Sequence, residues 1–156
     1  MSAEKLTITM EKLLKLHKSL YELAQKKTDI VKKADMDALN QMIKDEQAHI
    51  AAINILESDR QKVAAALVSG TEKPTMEDCL HAVDDGQREA LDRLRTDLVG
   101  VISQIRQRND LNQEMIYQSL QFVNLSLNLV APQPEDFNYG PQAGQPKGPG
   151  LLNVKA

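Results

Sequence analysis

Apolar residues recur along most of this chain at alternating spacings of three and four, the repeat of a single helix face. The first run is Leu6, Met10, Leu13, His17, Leu20, Ala24, Lys27 and Val31, widened on its flank by Leu16, Leu23 and Ile30. It predicts an amphipathic helix of roughly 28 residues, about 40 Å long at 1.5 Å per residue. Lys32-Lys33-Ala34-Asp35 marks its end, and Asp35 suits the N-cap of the next element. The second run extends from about Met36 to Val68 with Leu39, Met42, Ile43, Ile50, Ile53, Leu56, Val63, Ala64 and Leu67 on its apolar face. Glu46 and Arg60 interrupt that face as polar layers, and Ser69-Gly70 closes the helix in the usual way. Two helices of matched length joined by a tight turn predict an antiparallel hairpin.

Gly70 to Pro74 reads as a loop. Thr75-Met76-Glu77-Asp78 offers an N-cap with an acid three residues on, so a short helix is expected as far as about Val83, with Asp84-Asp85-Gly86 breaking it. A third long helix is then expected over about Gln87 to Val130, carried in its first half by Leu91, Leu94, Leu98, Val101, Ile102 and Ile105. Gly100 and the polar patch Arg106 to Asn112 are its candidate kink sites. From Pro132 the pattern stops. The segment 132–156 holds five of the six prolines and four of the seven glycines, so it is expected to be a disordered tail following a helical domain over 1–131. It ends in the small apolar patch Leu151-Leu152-Asn153-Val154. The expected fold is all-α: an elongated hairpin, a short helix and a long C-terminal helix forming a bundle or coiled coil.

Composition sharpens this. Of 156 residues 42% are hydrophobic but only 3% aromatic, with no tryptophan, which favours helices packed through aliphatic side chains. A net charge of −3 shows no nucleic-acid footprint. The charge is unevenly spread: residues 1–33 carry eight lysines against four acids, the remainder eleven basic against eighteen acidic residues. Either the helices complement one another electrostatically, or the first helix presents a basic docking face. Cys79 is the single cysteine, so no intrachain disulfide is expected and a reducing compartment fits. No signal peptide is expected at the N-terminus, and no window is apolar enough for a transmembrane helix, so a cytoplasmic protein without membrane insertion is expected.

Signatures of chemistry are few. GxGxxG, GxxxxGK[ST], GxSxG and HExxH are all missing, and His17 reads as a packed or interfacial histidine. Cys79 reads as a small buried apolar side chain. Glu46-Gln47-Ala48-His49 has the Glu-x-x-His spacing of di-iron bundles, but that site needs a second such pair and two further inward glutamates. Neither a metal, a cofactor nor an enzymatic activity is expected.

The segment from Met115 to Pro134 contains no charged residue. With Met115 at 0° and roughly 100° per residue, Ile116, Leu120, Val123, Leu127 and Val130 fall between about 60° and 140°. Met115, Phe122, Leu125 and Leu129 fall between about 280° and 360°, and Ser119 and Ser126 occupy the seam between the two stripes. One stripe serves packing within the domain; the second asks for another partner. Either this helix is central to a three-helix bundle and buries both stripes, or one stripe is open and receives an amphipathic helix from another chain.

The run Asn109-x-x-Asn112-Gln113-x-x-Ile116-x-x-Ser119-Leu120-x-Phe122, after a helical hairpin and before a Tyr-Gly-containing tail, resembles the flagellar export chaperones of the FlgN type. The resemblance implies a cytoplasmic chaperone that binds the hook–filament junction proteins FlgK and FlgL, prevents premature assembly, and delivers them to the type III export gate, including FlhA. It places cargo binding on the C-terminal helix, which by position covers Met115, Ile116, Ser119, Leu120, Phe122, Val123, Leu127 and Val130. It places gate docking on Tyr139. A homodimer in the cargo-free state stays open, and the alternative function is a structural, self-associating coiled-coil adaptor.

Overall fold

The structure is a computed structural model that describes residues 2–130, the last of these by its backbone alone. Four helices follow one another: α1 (Ser2–Lys33), α2 (Met36–Leu67), α3 (Met76–His81) and α4 (Asp85–Val130). All-α architecture is therefore observed, and the hairpin of matched helices is observed too, at 32 residues each.

The α1–α2 turn takes two residues. Ala34 adopts φ 54°, its N–H bonds Val31 O, and the Asp35 N–H reaches back to Ile30 O, the pattern of a Schellman stop. Asp35 then caps α2, its carboxylate accepting from the Ala38 N–H at 3.1 Å. α2 stops without a left-handed residue: its C-cap Val68 turns extended at φ −107°, ψ 117° while its N–H bonds Ala64 O, and Gly70 takes φ +93° two residues later in the loop. At α3, Thr75 and Asp78 form a reciprocal capping box. Arg88 satisfies the opposite end of α3 by donating to the carbonyls of Leu80 and Val83.

Asp84-Asp85-Gly86 does separate α3 from α4, but as a start rather than a gap. The Asp84 carboxylate accepts from the Gln87 N–H at 2.8 Å, so α4 begins at Asp85 and takes Gly86 into its first turn. Helical structure continues without interruption through Gly100 and Arg106–Asn112.

The helices are arranged around α1. It packs along both α2 and α4, whereas α2 and α4 barely meet. The main core joins Ala3, Leu6, Met10 and Leu13 of α1 with Ala64 of α2, Cys79, Leu80 and Val83 around α3, and Leu91 of α4. Each large aliphatic side chain fully buried there contributes about 1.5–3 kcal/mol. Since the first turns of α1 share this core with the last of α2 and the first of α4, α2 runs antiparallel to α1 and α4 parallel to it.

Further along, the interfaces turn polar. Lys27 is 4% exposed and pairs with Glu46 of α2 at 2.9 Å. Asn112 of α4, 1% exposed, donates to Ala24 O at 2.9 Å and accepts from the Thr28 hydroxyl at 2.6 Å. Each of these buried side chains has a partner, as burial demands. The Asn112 layer pins α4 to α1 at one register.

Candidate functional site

That register decides what happens to the end of α4. With Thr28 opposite Asn112, the end of α1 at Lys33 lies opposite residue 117 or so. The α4 helix continues to Val130, which leaves about 13 residues, or about 20 Å, beyond the end of the central helix. The reading in which the C-terminal helix sits at the centre and buries both stripes is thereby corrected: α1 is the central helix, and α4 outruns it.

The overhang is the uncharged segment. Met115 and Ile116 are half-buried, while Tyr117, Leu120, Phe122, Val123, Leu125, Leu127 and Leu129 are all exposed. From Leu120 onward these apolar side chains are 50–76% exposed, highest at Phe122 and Leu129. Ser119 is exposed and Ser126 half-buried. The side chain of Val130, Tyr139 and the whole of segment 132–156 lie outside the described residues.

The two stripes fare differently. Ile116, Ser119, Leu120 and Val123 face the α1–α2 turn across an apolar groove of about 210 Å³, whose other wall is Ile30, Val31, Ala34, Asp35, Met36 and Leu39. Phe122, Leu125 and Leu129 lie on the other stripe, with more than half their surface open. The seam between them has a structural origin. Positions of α4 seven apart face α1: Leu91, Leu98, Ile105 and Asn112, of which Leu91, Ile105 and Asn112 are buried. Continued, the same series falls on Ser119 and Ser126. The face that grips α1 lower down thus becomes a ridge of small hydroxyls once α1 has ended, flanked on both sides by aliphatic and aromatic surface.

The turn-side wall, Ile30, Val31, Met36 and Leu39, was not among the residues that the sequence marked for the site. Its signal was partly present: the third helix is longer than either helix of the hairpin, and Ile30, Val31, Met36 and Leu39 cluster as apolar residues around the turn. What periodicity alone does not supply is the parallel α1–α4 register. Leu125 and Leu129 join the exposed surface as well, beside the Phe122 that the sequence did mark.

Several polar and charged groups elsewhere serve the packing of the helices. Glu46 is held by Lys27, and His49 binds Ser19 Oγ through Nε2 at 2.8 Å and Asp45 O through Nδ1 at 2.8 Å. The Glu-x-x-His pair therefore serves the helical interface. His17 contacts Leu13 O at 2.7 Å. The hydrogen bond from Arg60 holds the Glu57 carboxyl below the usual carboxylate range, while burial pushes the Cys79 thiol up. Cys79 is fully buried. Arg95 ties α4 to α3 through Glu77 at 3.0 Å. On the outer face of α1, Lys12, Lys15 and Lys18 are exposed around Ile8. Among the described residues no group of three or more His, Cys, Asp or Glu side chains is placed to hold a metal ion, and no helix is long and apolar enough to cross a membrane.

The sequence model of the "FlgN protein" family matches residues 1–147. Among curated proteins, the chain is 29% identical over 139 residues to "Uncharacterized protein YvyG" of Bacillus subtilis (strain 168), covering 89% of this chain and 87% of that protein. No solved structure matches significantly.

Proposed function

The chain belongs to the FlgN family, and we propose that it is a cytoplasmic flagellar export chaperone that binds the hook–filament junction proteins FlgK and FlgL through the overhanging end of α4, holds them unassembled, and delivers them to the export gate, including FlhA. The observation that supports this most is the run of exposed apolar side chains from Leu120 to Leu129, in a stretch with no charged residue to solvate it. Exposed apolar surface of this extent marks interaction sites.

The chemistry required is physical grip. A cargo helix laid along residues 115–130 takes the place that α1 vacates at Lys33 and covers one or both stripes. Ser119 and Ser126 let the two backbones approach closely, while Met115, Ile116, Leu120, Phe122, Val123, Leu127 and Val130 offer packing that depends on no single partner atom. Burial contributes about 25 cal/mol per Å² of apolar surface covered, set against the cost of association. No bond is made or broken, so no cofactor enters. Tyr139 is the gate-docking residue in this reading.

Co-expression with FlgK and with FlgL tests it. Phe122→Asp and Leu127→Asp alter exposed positions, so each variant is expected to stay helical by circular dichroism while the soluble complex is lost. Undiminished binding by both sinks the assigned surface. Tyr139→Ala is expected to keep cargo binding and impair delivery, and equal loss of the two would show that the division between helix and tail is wrong. Sedimentation separates the structural alternative: a stable oligomer joined through residues 115–130 that cargo does not dissolve favours a self-associating adaptor.

A further inference from the structure

Leu151-Leu152-Asn153-Val154 is an aliphatic run to which neither the helical core nor the cargo surface assigns a role. The groove between α4 and the α1–α2 turn matches it in chemistry. Its walls are aliphatic, and its one charged residue, Asp35, has its carboxylate engaged in capping α2. We propose that residues 151–154 of the same chain occupy this groove while no partner is bound, covering Ile116, Leu120 and Val123.

Linker length supports this occupant. Residues 131–150 separate the end of α4 from Leu151, which makes 20 connecting residues. A glycine-containing linker of that length has a root-mean-square span of roughly 25 Å, lengthened somewhat by its prolines. The groove residues of α4 lie seven to fourteen positions before Val130, a distance of about 10–21 Å along the helix axis. Linker and span are matched, the condition under which tethering raises effective concentration most, to the millimolar range. A second copy would have to exceed that concentration to compete. At about 210 Å³ the groove also suits a few side chains rather than a whole helix, whereas the Phe122–Leu125–Leu129 stripe remains open beside it. A cargo helix that needs Ile116, Leu120 and Val123 displaces the tail, so the tail would set a threshold against weak partners.

Tail occupancy depends on the groove and the linker, not on the identity of any cargo, so it is measured on the pure full-length protein. Amide hydrogen exchange across residues 113–124 is compared with the variant Leu151→Asp/Leu152→Asp, with residues 91–105 as internal reference. The substitutions lie outside the helical core, so folding is not at risk. If the tethered segment binds with a dissociation constant near a tenth of its effective concentration, exchange in the variant rises about tenfold over residues 113–124. Equal rates in the two proteins overturn the proposal. So does wild-type protection that disappears on about hundredfold dilution, because an intrachain contact is independent of concentration. Failure of FlgK or FlgL to bind would overturn the cargo reading and leave this measurement unaffected.

Discussion

Residues 85–112 and 113–130 of α4 share one unbroken helix yet stand in opposite relations to the rest of the molecule. The first part carries ten charged residues on its outer faces and buries a single seam against α1. The second carries one, Glu114, and buries almost nothing. Hydrophobicity therefore runs inversely to burial along this helix. In the packed part a narrow apolar stripe suffices because α1 covers it, and charge elsewhere keeps the helix soluble. In the overhang the apolar surface is wide and, among the described residues, uncovered, as is expected of a surface held ready for something else. Asn112 marks the change, since it is the last position at which α4 is locked to α1.

The contrast can be broken most severely through thiol chemistry. Cys79 lies in the packed end with no exposed surface and a thiol held protonated by burial. In a protein of ordinary stability it is expected to react with a disulfide reagent only upon global opening, at least about 1000-fold more slowly than a cysteine placed by Leu129→Cys. Comparable rates would mean that the packed end opens as readily as the overhang. Next in size, Leu91→Ala is expected to lower unfolding free energy by about 2–5 kcal/mol in a urea titration, while Leu129→Ala changes it by less than about 0.5 kcal/mol. Similar losses at both positions would show that residues 113–130 pack on the domain after all. Asn112→Ala removes the two shorter bonds of the layer and leaves Thr28 Oγ1 only its longer contacts to Ala24 O at 3.3 Å and Arg108 at 3.4 Å, with an expected cost of about 1–3 kcal/mol; replacing both polar side chains, as in Thr28→Val/Asn112→Leu, is expected to recover much of it. The smallest effect belongs to the turn that forms the groove wall. Ala34 sits at φ 54°, and Ala34→Gly is expected to add about 0.5–1 kcal/mol without altering the exposure of residues 120–129.

Much of this was legible in the chain because local rules governed it. The matched lengths of α1 and α2, the Asp35 cap and the Thr75–Asp78 capping box each follow from a few neighbouring residues, whereas the stop expected at Ser69-Gly70 falls earlier, at an extended Val68. Glu46 stood out as a polar layer on the apolar face of α2, and Lys27 fell in the stripe of α1; their meeting across the hairpin follows from its antiparallel register. The start of α4 was read two residues late because Asp84-Asp85-Gly86 resembles a breaker, whereas an aspartate before a helix is equally a cap. The larger omission was global. Two apolar stripes around Ser119 and Ser126 were visible in the sequence, but whether they were covered depended on α4 running parallel to α1 and on where α1 ended. Hydrogen bonds linking residues 84 and 88 positions apart fix that register, and periodicity carries no information at such range.

Among the described residues the overhang is attached to its domain at one end, and such an element is modular in length. Inserting seven residues after about position 124 would carry the tip roughly 10 Å farther out and rotate it by about 20°, leaving the core and the Asn112 layer where they are. The same insertion at position 100 would shift Ile105 and Asn112 by two turns against α1 and break the buried network. Relatives built on this plan can therefore match the reach of the C-terminal helix to partners of different size by whole-turn changes in one place, with no adjustment elsewhere in the fold.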